Sequence, residues 1–251
     1  MKFAITPCPN DTFSYFALIS GAIKSELEFV FDDIEALNLA AEKRTYPVTK
    51  LSFAAYLNCR DKYSLLDAGA ALGIGTGPVL VGRAGAKFDA SKPILVPGLN
   101  TTGALLLKFY AGKNLNLIPV HFREISARLQ NGEADFGVLI HEGRFVFASQ
   151  GLELLADLGG YWTQKTGLPV PLGCICISNE FLSKREKVET LIRESIRAAF
   201  ANPEASLPYV KSRAQYLDDD VLQKHIYAFV NKYSLDISDI KATLLKRLEE
   251  C

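Results

Sequence analysis

The sequence predicts an α/β protein built as two α/β lobes with a central cleft, and three observations carry that expectation. Short apolar runs alternate with amphipathic segments from Lys2 to Ser178. The pattern restarts after Ala84-Gly85-Ala86-Lys87, and from Asn179 onward the chain is almost wholly amphipathic helix. Strands alternating with helices build α/β units with mostly parallel strands. A helical tail without strands has no sheet of its own and must cover the first lobe's sheet. The expected division is a larger, discontinuous first lobe of residues 1–92 and 173–251 and a second lobe of residues 93–172.

Each element has a local reason. Lys2 to Thr6 reads as a strand, and Pro9-Asn10-Asp11-Thr12 supplies turn and cap chemistry for a helix from about Thr12 to Ile19 that Gly21 ends. Leu27 to Phe31 is the next strand, followed by a helix from Ile34 to Lys43 and a strand from Pro47 to Leu51. Ser52 is placed to cap a short helix carrying Phe53, Tyr56 and Leu57. Tyr63 to Leu66 and Pro78 to Arg83 complete the first run of strands. In the second run Ile94 to Val96 is a strand, and a helix from Thr101 places Leu105, Leu106 and Phe109 on one face. Leu117 to Phe122 is a strand, Glu124 to Gln130 a helix that Asn131-Gly132 ends, and Asp135 to Ile140 a buried strand running into His141. Gly173 to Ser178 is one more strand after the turn at Gly167 to Leu172. Helices over 188–201, 204–216, 219–231 and 238–249 form the tail.

Composition excludes several classes. The 251 residues carry 28 Lys+Arg against 28 Asp+Glu with 49% hydrophobic content, which fits a folded chain and gives no electrostatic reason to expect nucleic acid. The longest apolar runs, such as Pro78 to Val81 and Gly173 to Ile177, fall far short of the roughly 18 residues a membrane-spanning helix requires. The start lacks the hydrophobic region of a secretory signal, and five cysteines are an odd number in a chain too long to need disulfide staples. These features predict a cytoplasmic protein with free thiols. Neither nucleic acid nor membrane is expected as a partner, and oligomeric state is left open.

In open α/β sheets a ligand sits outside the carboxyl ends of the strands. Polar residues gather there: Asn10-Asp11-Thr12, Asp32-Asp33, Ser52, Thr101-Thr102 and His141. Asp11, Ser52 and Thr101 are also good helix caps, so each has a purely structural reading. Helix starts present free N–H groups, which makes Ser52 and Thr101-Thr102 candidate cradles for a carboxylate or a sugar hydroxyl. His141 is the sharpest candidate, because an imidazole that titrates near neutrality is a natural general base. The alternative is a buried, hydrogen-bonded structural histidine. Arg144 can grip a substrate carboxylate or pair with a neighbouring acid. His121 and His225 read as structural.

Spacing dismisses other motifs. His141-Glu142 lacks the second histidine of a zinc-protease helix, since position 145 is Phe. Cys174 and Cys176 have no second pair to make a metal site. Gly73-Ile74-Gly75-Thr76-Gly77 precedes a strand and opens no helix, so it reads as a turn and not as a dinucleotide fingerprint.

Three runs, Thr6-Pro7-Cys8-Pro9-Asn10-Asp11-Thr12-Phe13, Ile140-His141-Glu142-Gly143-Arg144-Phe145 and Gly167-Leu168-Pro169-Val170-Pro171-Leu172-Gly173, together resemble the 1,4-dihydroxy-6-naphthoate synthase family of the futalosine route to menaquinone. The resemblance reaches from the first strand to Gly173 and takes in Asp33 to Asn38, Leu51-Ser52-Phe53 and Thr101-Thr102. It implies a type II periplasmic-binding-protein-like fold with a two-segment hinge. It implies a lyase whose small-molecule carboxylate substrate is a cyclic dehypoxanthinylfutalosine. A histidine at position 141 would remove a proton near the ring ketone, a carbon-carbon bond would break, and an aromatic dihydroxynaphthoate would form with no redox cofactor and no metal. By the same matching Asp11, Asp33, Asn38, Ser52, Thr102 and Arg144 would line the cleft. Val146-Phe147 stands where relatives often carry Thr-Tyr, so any hydrogen bond from that tyrosine is lost here. The alternatives are the chorismate dehydratase of the same pathway, which shares the fold, and a solute-binding protein without chemistry.

Overall fold

The computed structural model describes residues 1–214 and 218–251. Its strands are β1 (Lys2–Ile5), β2 (Glu28–Phe31), β3 (Val48–Ser52), β4 (Tyr63–Leu65), β5 (Ala71–Gly73) and β6 (Val79–Arg83). They continue as β7 (Ile94–Val96), β8 (Leu117–Pro119), β9 (Phe136–Leu139), β10 (Leu152–Asp157) and β11 (Val170–Ser178). The helices of the first part are α1 (Pro9–Ser14), α2 (Phe16–Ile19), α3 (Ile34–Glu42), α4 (Phe53–Leu57) and α5 (Thr102–Ala111). Then come α6 (Ile125–Gln130), α7 (Gly143–Val146), α8 (Leu158–Thr166), α9 (Arg185–Ala201) and α10 (Leu207–Arg213). The last are α11 (Asp219–Phe229), α12 (Lys232–Leu235) and α13 (Ser238–Glu249). Residues 215–216 of the expected 204–216 helix lie outside the described residues.

Two sheets form the two lobes, with strand orders β2-β1-β3-β11-β4, where β5 also pairs β11, and β10-β6-β9-β7-β8. The strands are not mostly parallel as expected. β1 pairs β2 and β3 in parallel, and β7 pairs β8 and β9 in parallel. β11 runs antiparallel to β3, β4 and β5, and β6 antiparallel to β9 and β10. The cause is the hinge: β6 and β11 enter their sheets directly from the opposite lobe, without the crossover helix that returns a chain in parallel.

The first crossing falls earlier than residue 92. β6 pairs β9 and β10, so the chain enters the second sheet between Gly73 and Val79. The second crossing lies between Thr166 and Val170, ahead of the expected 172/173. Gly77 marks the first. A Cβ there would meet the Gly159 Cα at 2.8 Å, so a loop of one lobe touches the helix backbone of the other only because both residues are glycine. This contact also explains α8, which the sequence reading left unassigned. Gly159-Gly160 weakens helix propensity, and β10 before it has only Leu152 fully buried.

The helical tail covers the first sheet. α9 and α11 set Val188, Ile192, Ile196, Leu222 and Ile226 against Phe3, Ile5, Phe13 and Ile177. Ser195 Oγ donates to the Ser14 carbonyl at 2.7 Å, and Asn231 Nδ2 donates to the Leu72 carbonyl at 2.8 Å. Among the described residues no helix is long and apolar enough to cross a membrane.

Candidate functional site

The strand ends of both sheets face one cleft of about 570 Å³ with its open mouth included. The first lobe supplies Asn10, Ile34, Lys50 and Ser52, and Phe229 comes from the tail. The second supplies Thr101, Thr102, Gly103, Ile140 and His141. The lobes are latched across the mouth: Glu35 Oε1 accepts from the Asn100 N–H at 3.1 Å and from its side chain at 3.0 Å, and Asn38 Nδ2 donates to the Asn100 carbonyl at 3.3 Å.

His141 follows β9 with φ of 53°, a left-handed conformation that costs a residue bearing a Cβ about 1–3 kcal/mol and marks functional sites. Its ring packs on Phe122, with centroids 4.9 Å apart, and its Nε2 lies 3.9 Å from the Cys8 Sγ. Burial, and after it the positive charges of Lys50, Arg123 and His121, bring its pKa down to about 3. The imidazole is therefore neutral at physiological pH, the form a general base requires. Cys8 beside it is held protonated, because burial and then the Glu142 and Asp11 charges push its thiol up.

Lys50 is the site residue that the strand-end reading passes over, because it stands within β3 and not after it. Its side chain is 5% exposed and its Nζ donates to Asp11 Oδ1. Asp11 Oδ2 accepts from the Thr6 N–H at 3.1 Å and the Thr6 hydroxyl at 2.6 Å, and Oδ1 from Asn10 Nδ2 at 2.9 Å. These bonds fix the carboxylate in place, and it anchors the ammonium. Gly173 clears its path, since a Cβ there would meet the Lys50 Cε at 2.8 Å. A lysine amid the buried strand Val48–Ser52 was the available signal.

Of the expected lining residues the structure brings together His141, Ser52, Thr101 and Thr102. Ser52 stands at the α4 N-cap position, yet its hydroxyl makes no cap bond. Asn38 holds it instead, donating to its Oγ at 3.1 Å and accepting from its N–H at 2.9 Å, so the hydroxyl hydrogen remains to donate into the cavity. Thr101 caps α5, accepting from the Ala104 N–H at 3.2 Å. Thr102 and Gly103 line the cavity and stand in the first turn of α5, where N–H groups have no intrahelical partner. The Thr102 hydroxyl donates to the Leu172 carbonyl at 3.0 Å.

Asp11, Asp33, Asn38 and Arg144 stand behind the wall and not in it. Asp33 is the N-cap of α3, accepting from the Glu35 and Ala36 N–H groups at 2.8 and 3.2 Å. Arg144 donates to the Gly77 carbonyl and lies 3.5 Å from the Asp157 carboxylate, so it braces the crossing of the lobes. Burial lowers its pKa. Asp11 and Asp33 are held there because short acidic side chains satisfy local backbone N–H donors first.

His225 was read as structural, and the fold stacks it on His141, with centroids 6.0 Å apart and planes at 22°. Its position beside Leu222, Ile226 and Phe229 on the buried face of α11 was the signal available. Glu142, whose side chain is 2% exposed, completes a group with His141 and His225 whose nearest ligand-type atoms lie within 4.8 Å of one another. Neighbouring ligands of a tetrahedral zinc ion sit about 3.3 Å apart. The 3.8 Å between His225 Nδ1 and Glu142 Oε2 exceeds that.

A family model described as menaquinone biosynthesis matches residues 1–250. A relative from Thermus thermophilus named 1,4-dihydroxy-6-naphtoate synthase is 38% identical, covering 99% of this chain and 92% of its own. One of the same name from Streptomyces coelicolor is 35% identical over 95% and 88%. Among solved structures, a protein from Archaeoglobus fulgidus superposes with a TM-score of 0.94 at 34% identity, covering 99% of this chain and 95% of that one. A Candida albicans protein described as having the generic periplasmic binding protein fold gives 0.73 at 11% identity over 100% and 90%, which shows the fold.

Proposed function

The chain belongs to the menaquinone biosynthesis family, and from that premise we propose that it is the lyase that converts a cyclic dehypoxanthinylfutalosine to 1,4-dihydroxy-6-naphthoate. The observation that carries the reading is His141, a neutral imidazole in a strained backbone conformation, set in the cleft beside a buried ammonium. The names of the relatives support this reading over the dehydratase and the solute-binding protein.

His141 takes the proton next to the ring ketone of the substrate. Negative charge then develops on the ketone oxygen, and Lys50, already desolvated and fixed by Asp11, is the cation among the wall residues that offsets it. The Ser52 hydroxyl and the Thr102 and Gly103 N–H groups bind the substrate carboxylate from both lobes. The carbon-carbon bond breaks, the electron pair leaves on the smaller fragment, and the ring becomes aromatic. The latch between Glu35, Asn38 and Asn100 keeps water from the reacting atoms while the lobes are closed.

Incubation of the pure protein with the cyclic substrate, with naphthoate followed by chromatography and mass, tests the reading. His141→Ala should lose turnover by at least about a hundredfold while substrate affinity changes little. Absence of naphthoate from the wild type overturns the assignment, and near-normal turnover in the variant removes His141 from its role.

A further inference from the structure

Base, ammonium and anion donors account for the polar wall of the cleft, and Ile34, Ala71, Pro78, Ile140, Leu172 and Phe229 form its apolar side. Phe229 is the one benzene ring among the described wall residues, and the helical tail supplies it. It is 6% exposed, yet it lies outside the hydrophobic clusters that fill the two lobes, so core packing does not account for it. Its mount is rigid. The ring crosses that of His225, one turn earlier on the same face of α11, with centroids 4.9 Å apart and planes at 76°. Just beyond it Asn231 and Ser234 form a capping box, and the Ser234 hydroxyl donates to the Phe229 carbonyl at 3.3 Å. The Gly69 N–H donates to the Ser234 carbonyl at 2.8 Å and Asn231 Nδ2 to that of Leu72, which ties the end of α11 to β5 and the loop before it.

We propose that Phe229 is a specificity-determining residue: its ring is the aromatic wall that recognises the flat fused ring of substrate and product and selects planar ring acids over puckered ones. The proposal takes its ligand from the lyase reading, in which a fused ring becomes aromatic as the carbon-carbon bond breaks. Aromatic rings attract one another offset-stacked or edge to face through their quadrupoles, beyond what the buried area gives. A saturated ring has no such quadrupole and meets the same wall by dispersion alone. The polar groups then stand around the ring, with Ser52 and the first turn of α5 for the carboxylate and His141 and Lys50 for the ketone. Base and wall share one support. His225 packs on both rings, with centroids 6.0 Å from that of His141 and 4.9 Å from that of Phe229, so the aromatic wall is held in a fixed relation to the base. Since the substrate ring flattens on the way to product, its contact with Phe229 strengthens toward the transition state.

The test is Phe229→Leu, which keeps an apolar side chain and removes the ring, with Phe229→Ile as a second shape should the first variant melt far below the wild type. Calorimetry measures binding of 2-naphthoate and of its saturated counterpart, decahydro-2-naphthoate, to each folded protein. The variant should lose about threefold to tenfold in affinity for the planar acid and less than about twofold for the saturated one. With the cyclic substrate its kcat/KM should fall by at least the factor lost in naphthoate affinity. Equal losses for the two acids overturn the proposal, because a merely structural role weakens both alike, and so does a wild-type kcat/KM. Binding of these acids needs no turnover. A wild type that makes no dihydroxynaphthoate, while the variant still loses affinity for the planar acid alone, strikes the lyase assignment and supports ring recognition. Normal turnover by the wild type with equal losses in the variant strikes ring recognition and leaves the lyase assignment standing.

Discussion

Acid titration of stability measures the state in which the fold holds His141. Its pKa falls from 6.5 to about 3 on folding, so between those values the unfolded chain binds more protons at this position than the folded one. The stabilisation is therefore fully present above about pH 6.5 and drains away as the pH falls toward 3. One-site linkage between about pH 7 and about pH 4 gives a loss of about 3 kcal/mol, which solvent at the ring's open edge reduces to about 2. The perturbation is His141→Asn, because asparagine tolerates the left-handed backbone at this position and does not titrate. His225, also held far below its usual range by burial, contributes a loss of the same sign in both proteins and largely cancels in the comparison. Urea denaturation of each protein at both pH values is the assay. The wild type should lose about 2 kcal/mol more than the variant over this interval. Equal losses would show that the folded protein does not hold His141 neutral, and the argument for a ready general base would fall with it.

Ser52→Ala should weaken binding of the naphthoate product, and weaken it less for the analogue whose carboxylate is an amide, whereas Thr102→Ala, which keeps its N–H and loses only the bond to the Leu172 carbonyl, should treat acid and amide alike. Calorimetry with both ligands decides, and equal losses in Ser52→Ala would leave that hydroxyl with a structural role alone. Arg144→Ala should lower unfolding stability by about 1–3 kcal/mol through the unpaired Gly77 carbonyl and Asp157, with product affinity changed less than about threefold. A large loss of affinity without a loss of stability would return Arg144 to the ligand.

Residues 94–140 show how far local chemistry reaches. Ile94–Val96 and Phe136–Leu139 form where short apolar runs end at turn residues, and Thr101 caps α5 as its position before an apolar face requires. Such features depend on neighbours in the chain, and so the sequence by itself determined the alternation of strands and helices, the two lobes, the helical cover of the first sheet, and a histidine at a strand end. Partners distant in the chain decided the rest. Asn38 frees the Ser52 hydroxyl because α3 packs on β3, Arg144 turns away from the cleft because Gly77 and Asp157 meet it first, and Lys50 lies in the wall because Gly173 makes room. His141 and His225 become neighbours only when α11 lies over α1 and carries its buried face to the cleft. A side chain's hydrogen bonds and ionisation are set by what surrounds it in space, and only packing brings those groups within a few ångströms.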